Sequence, residues 1–132
     1  PDALEQVLQS LKPLTRGQIL TVFGCGGDRD PGKRPEMGRS ASRGSTHVYV
    51  TSDNPRSEEP SQIIADIIPG ILGPYTIEAD RSEAIKRAIY EAQVGDIVLI
   101  AGKGHETTQT TQGETILFDD RLVAAAALEA TR

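Results

Sequence analysis

A chain of 132 residues with a net charge of −5 is long enough for one domain with a real core, and its acidic balance argues against a general polyanion binder. Aromatics make up only 4% and tryptophan is absent, so no base-stacking platform is indicated, while the single cysteine, Cys25, cannot form an internal disulfide and fits a reducing cytosol. No apolar run approaches the ~20 residues that cross a bilayer, so neither a nucleic-acid nor a membrane partner is expected.

The chain opens on DALEQVLQSLK, which places Leu4, Val7, Leu8 and Leu11 on one helical face. It starts directly in this pattern, without a leader-like segment, as a piece of a longer chain would. QILTVFG follows as a strand. GDRDPGKR, residues 27–34, then fits the phosphate-loop pattern G-x-x-x-x-G-K but ends in Arg34, where that pattern needs Ser or Thr. A guanidinium cannot ligate the magnesium that the hydroxyl would hold. Pro35 disfavours helical angles at Arg34, so any helix is expected to begin near Pro35. PEMGRSASRGS allows only a short, weak helix, and HVYVTS is a second strand rich in β-branched residues. EPSQIIADII carries Ile63, Ile64, Ile67 and Ile68 at helical spacing, and YTIEA is a short strand. DRSEAIKRAIYEA is the strongest helix: Asp80 and Glu83 form a capping pattern, and Ala84, Ile85, Ala88, Ile89 and Ala92 its buried stripe. DIVLIAG is apolar enough for a strand covered on both faces, ETILFD is a last strand, and DRLVAAAALEA a last helix.

This alternation predicts an α/β domain, Rossmann-like, with a mainly parallel sheet of about six strands and helices on both faces. In such sheets ligands bind outside the carboxyl ends of the strands. Three loops therefore converge: GCGGDRD, SDNPRSEEP and GKGHE. They gather Asp28, Arg29, Asp30, Lys33, Arg34, Asp53, Asn54, Arg56, Lys103, His105 and Glu106. Mixed signs suit a zwitterion better than a phosphate, with guanidinium forks for carboxylates and acids for ammonium groups.

Other residues have plainer readings. His105-Glu106 resembles the start of a zinc-protease helix, but position 109 is Gln, so no metal site is expected. Cys25 reads as a small half-buried residue rather than a nucleophile. His47 reads as structural or solvent-facing, Arg39 and Arg43 as solvated, Asp80-Arg81 as a helix cap.

Taken in order, VFGCGGDRDPGKRPEMG, TSDNPRSEEP, DRSEAI and GDIVLIAGKGHETTQ resemble the C-terminal domain of the Mur ligases, and within them the members that add meso-diaminopimelate. The resemblance runs over essentially the whole chain, and DNPR is its most specific motif. It implies that residues 1–132 are one amino-acid-binding domain, separated from the family's central ATPase and N-terminal UDP-substrate domains. GDRDPGKR is then a substrate loop whose likeness to a phosphate loop is coincidental. Carried over residue by residue, the resemblance assigns Arg29, Asp53, Asn54, Pro55, Arg56, Gly102 and Glu106 to meso-diaminopimelate. Lys33 and Arg34 are expected to lean toward the nucleotide when domains close. SASRGSTH departs from the firmer helix usual in relatives.

The implied chemistry is cytoplasmic and serves peptidoglycan precursor synthesis. ATP with Mg²⁺ phosphorylates the D-glutamate side chain of UDP-N-acetylmuramoyl-L-alanyl-D-glutamate, and the amine of the incoming amino acid displaces phosphate. The domain itself is expected to hold the nucleophile, to bind no cofactor alone and to contain no catalytic residue. Two alternatives stay open: a non-catalytic amino-acid-binding module, and the third domain of a folyl-polyglutamate or cyanophycin type ligase.

Overall fold

In the computed structural model, residues 2–101, 108–111, 114–117 and 120–130 are described. β1 (Ile19–Phe23), β2 (His47–Val50), β3 (Tyr75–Ile77) and β4 (Ile97–Ile100) form one parallel sheet in the order β3-β2-β1-β4. β1 lies between β2 and β4, with Val22 opposite both Tyr49 and Ile100. The chain thus builds outward from β1 in one direction and then crosses to its other side. This reversal puts the crevice of the fold at the carboxyl end of β1.

Alternate residues of β1 face opposite layers, as a period of two requires. Ile19 and Phe23 join Val48 and Val50 against α1 (Asp2–Leu11), α2 (Arg34–Gly44) and α3 (Pro60–Ile67), through Leu4, Leu8, Ala41, Ile63, Ile64 and Ile67. Leu20, Val22 and Tyr49 pack with Ala84, Ile85 and Ala88 of α4 (Arg81–Glu91). Val123 and Ala124 of α5 (Asp120–Ala130) join this second layer. The α/β class and the helices on both faces agree with the sequence reading.

The expected strand count does not. Among the described residues the parallel sheet has four strands, while β5 (Thr108–Thr111) and β6 (Glu114–Leu117) pair antiparallel as a separate two-stranded unit. ETILFD has the composition of a strand, but composition does not choose the partner. β4 also differs from a doubly covered strand: among the described residues it pairs only with β1, and Ile97 to Ile100 are all half-buried.

α2 is the other correction. It runs for 11 residues, and Arg34 is helical at φ −63°, ψ −45° despite the proline that follows. Glu36 in the first turn and Arg43 in the last complement the helix dipole. Packing supplies the rest. A Cβ on Gly38 would lie 2.6 Å from the Ile67 carbonyl oxygen, so the glycine that weakens the helix locally also lets it dock closely.

Candidate functional site

The loops after β1 and β2 are stitched together at the carboxyl edge of the sheet. Gly27 N donates to the Asn54 carbonyl at 2.6 Å. Arg56 Nη1 donates to the carbonyls of Gly27 at 3.0 Å and Asn54 at 3.3 Å. Asp28 N donates to Glu58 Oε1 at 2.7 Å, and the Ser57 hydroxyl bonds the Asp28 carboxylate. The approach is close enough that a Cβ on Gly27 would sit 1.7 Å from the Pro55 carbonyl oxygen. Asp28 and Arg56 both hold left-handed backbone, at φ 57° and 54°. Such strain persists only where surrounding contacts over-determine it, and it concentrates at functional sites.

Arg34 fastens the arrangement from beneath. Only 2% exposed, it forms a two-point fork with Glu58, at 3.0 Å from Nη1 and 2.8 Å from Nη2. Nη1 also reaches Asp66 of α3 at 2.9 Å, and Nη2 the Gly26 carbonyl at 3.2 Å. The Arg34 guanidinium and the Asp28 amide together hold the Glu58 carboxyl below its ordinary value. Arg34 is therefore turned inward, and the surface loop read from the sequence has a buried anchor. Lys33 next to it is exposed.

The cavity between the loops has a volume of about 260 Å³. That is below the usual range for drug-sized ligands and fits an amino acid. Arg29, Asp30, Lys33 and Asp53 line it with charge, and Cys25 and Met37 with apolar surface. Arg29 is exposed, Asp53, Asn54 and Pro55 are buried, and Arg56 is half-buried beside this cluster. The structure thus brings the residues of the first two loops together. Gly102 and Glu106, with Lys103 and His105, lie outside the described residues.

The remaining singled-out residues take structural places. His47 Nε2 hydrogen-bonds Thr76 Oγ1 at 2.7 Å and its ring tilts against Tyr49. Arg39 is exposed and Arg43 pairs with Glu5 at 3.2 Å. Asp80 caps α4 by accepting from Glu83 N at 3.2 Å, but its own N–H goes to Glu78 rather than to the Glu83 side chain.

The sequence reads Arg81 chiefly as part of that cap, with a ligand role as the lesser alternative, yet it is 1% exposed and forks onto Asp120 with two bonds of 2.7 Å. One sequence signal points to it. A cation in the first turn opposes the helix dipole, so an arginine there is held by something other than its own helix.

Burial pushes the Cys25 thiol up to about 11; nearby Arg34 pulls it down and Asp53 adds to the rise. With the thiol raised from the ordinary 9.0 to about 11, alkylation by iodoacetamide at pH 7.5 should run on the order of a hundredfold slower in the folded protein than in urea. Mass spectrometry reads the rate, and equal labelling in both states would refute the burial argument. The folded thiol binds its proton more tightly than the unfolded one. Its contribution to stability is thus present below pH 9.0 and is lost as pH rises toward about 11.

Comparisons with known proteins converge on one family. Residues 1–104 match the family described as Mur ligase, glutamate ligase domain. The chain is 54% identical over 131 residues, 98% of its length, to a UDP-N-acetylmuramoyl-L-alanyl-D-glutamate–2,6-diaminopimelate ligase of Prochlorococcus marinus, of which it covers 26%. To the Geobacillus kaustophilus ligase of the same name it is 50% identical over 132 residues, covering 98% of this chain and 27% of that one. A solved structure of a ligase of that name superposes with a TM-score of 0.95 at 50% identity, over 99% of this chain and 28% of that one. The chain thus spans about a quarter of these relatives. With a match over most of its length, and with its β1 and β2 loops drawn around an amino-acid-sized cavity, the chain belongs to the Mur ligase family, as its glutamate ligase domain.

Proposed function

We propose that this domain holds meso-diaminopimelate for an ATP-dependent ligase that joins it to the D-glutamate of UDP-N-acetylmuramoyl-L-alanyl-D-glutamate. The observation that carries the reading is the stitched pair of loops, which puts Arg29 and Asp53 in the cavity wall, with Asn54 and Arg56 in the turn that follows Asp53 and is bonded to Gly27. The guanidinium groups take carboxylates of the amino acid, and the acids answer its ammonium groups. Pro55 stiffens the turn, and Gly102 and Glu106, which follow β4 in the sequence, are assigned to the same amino acid by the family resemblance. Holding the amine in attack geometry is the domain's share of catalysis, since orientation removes much of the entropic barrier. The cytoplasm, where ATP and the nucleotide precursor meet, is the compartment of this reaction; no described helix is long and apolar enough to cross a membrane.

ATP with Mg²⁺ supplies the activation of the D-glutamate carboxylate. The residues of GDRDPGKR do not fit that task. Asp30 Oδ1 accepts the Gly32 N–H at 2.9 Å, an amide that a phosphate loop would turn to its ligand. Arg34 occupies the hydroxyl position and is committed to Glu58 and Asp66. Lys33 stays free to face a nucleotide carried by another domain.

Two measurements test this. The intact ligase should release phosphate from ATP only when meso-diaminopimelate and the UDP-linked dipeptide are both present. The 132-residue chain alone should release none above background with Mg-ATP. Turnover by the chain that disappears in Lys33→Ala would restore the phosphate-loop reading. Diaminopimelate binding without ligase activity in the intact protein would favour a non-catalytic module.

A further inference from the structure

We infer that Arg81 is a positioning residue that sets the spacing between the two strand ends from which substrate loops leave. The inference deepens the proposed function and rests on the amino-acid site described above.

The sheet ladder stops at two bonds, Thr51 N to the Phe23 carbonyl and Ala101 N to the Val22 carbonyl, both 2.9 Å. Arg81 takes over where the ladder ends. Its Nη1 donates to the Ser52 carbonyl at 3.0 Å and its Nη2 to the Ala101 carbonyl at 3.2 Å. Ser52 immediately precedes Asp53 of the DNPR turn, and Ala101 immediately precedes Gly102. β2 and β4 are not neighbours, because β1 lies between them. No ladder bond therefore links their ends directly, and the guanidinium does so in one rigid plane. Asp120, at the start of α5 and 7% exposed, holds that plane through Nε and Nη2 at 2.7 Å each. It also supplies the charge that lets a cation stay buried at a helix N-terminus. Ser52 is tied a second time, its hydroxyl donating to the Ala79 carbonyl at 2.7 Å. A lysine carries the charge but not the fork, so it cannot satisfy four acceptors on three segments at fixed angles.

The test uses the intact ligase with Arg81→Lys and Asp120→Asn. In Arg81→Lys, amide hydrogen exchange should rise by about tenfold or more in peptides covering residues 52–58 and 101–107, while peptides of β1 stay unchanged. kcat/KM for meso-diaminopimelate should fall by roughly 10- to 100-fold with KM for ATP within about twofold, because misplaced loops misplace the nucleophile. Asp120→Asn keeps an acceptor for Nε and should move both readouts the same way by less; it carries the test if the lysine variant does not fold. Unchanged exchange in both loops, or a rise spread evenly over the domain, overturns the inference and leaves Arg81 a plain structural ion pair. A wild-type ligase with no diaminopimelate-dependent turnover would defeat the proposed function instead, and the exchange measurement would still decide the role of Arg81.

Discussion

In the intact ligase, Arg56→Ala is expected to lower kcat/KM for meso-diaminopimelate by about 30- to several-thousand-fold, the loss of about 2–5 kcal/mol typical of one partner in a buried charge pair. KM for ATP and for the UDP-linked dipeptide should stay near normal. Diaminopimelate differs from lysine by one carboxylate at the far end, so selectivity must come from a group that binds that carboxylate. Arg56 is the group proposed to do so. Its Nη1 is anchored on the Gly27 and Asn54 carbonyls, which orients the rest of the guanidinium fork. Lysine offers that fork an ammonium instead, which repels it.

The same anchoring raises a rival reading, that Arg56 only props the turn. The backbone offers a way to separate the two. Arg56 sits at φ 54°, where glycine is at ease, so Arg56→Gly should relieve strain while removing the guanidinium. If specificity lies in the side chain, Arg56→Gly loses diaminopimelate use as Arg56→Ala does, with a melting temperature near that of the wild type. Equal loss with diaminopimelate and lysine in both variants, together with lowered melting, would make Arg56 a prop.

Arg34→Met should lower the stability of the 132-residue chain by about 2–3 kcal/mol, or roughly 10 °C in melting temperature. Removing one partner of a buried ion pair leaves the other uncompensated, a cost near the top of single-substitution effects. Glu58 and Asp66 are 28% and 27% exposed, so water recovers part of it. The acid limb gives a second readout. The Glu58 carboxyl is held below its ordinary 4.5, first by its hydrogen bond from Arg34. The stability from this shift is present above pH 4.5 and is lost as pH falls through the lowered value, so the wild type should lose stability there more steeply than Arg34→Met. A variant that melts with the wild type at neutral pH and parallels it in acid would show that the fork contributes nothing.

Much of this molecule follows from local pattern. Leu4 and Leu8 on one face of α1, the isoleucines of α3 and the alanine stripe of α4 bury where their 3.6-residue spacing puts them. Asp80 caps α4 as its position requires. Alternating helices and strands imply a parallel sheet, and a parallel sheet places the loops after β1 and β2 on one edge, so the candidate site was legible as a set of residue types before any geometry was known. What pattern cannot carry is the identity of long-range partners. The helicity of Arg34 before a proline depends on Glu58 and Asp66, 24 and 32 residues away. The length of α2 depends on how closely Gly38 lets it approach Ile67. Pairing of β5 with β6, rather than with the sheet, is a choice between partners that strand composition does not encode. Arg81 reads as a helix-start residue until tertiary structure brings Ser52, Ala101 and Asp120 within hydrogen-bond distance. Three of its contacts span 20 to 39 residues, and a buried charge takes its role from whatever acceptors surround it, not from its neighbours in sequence.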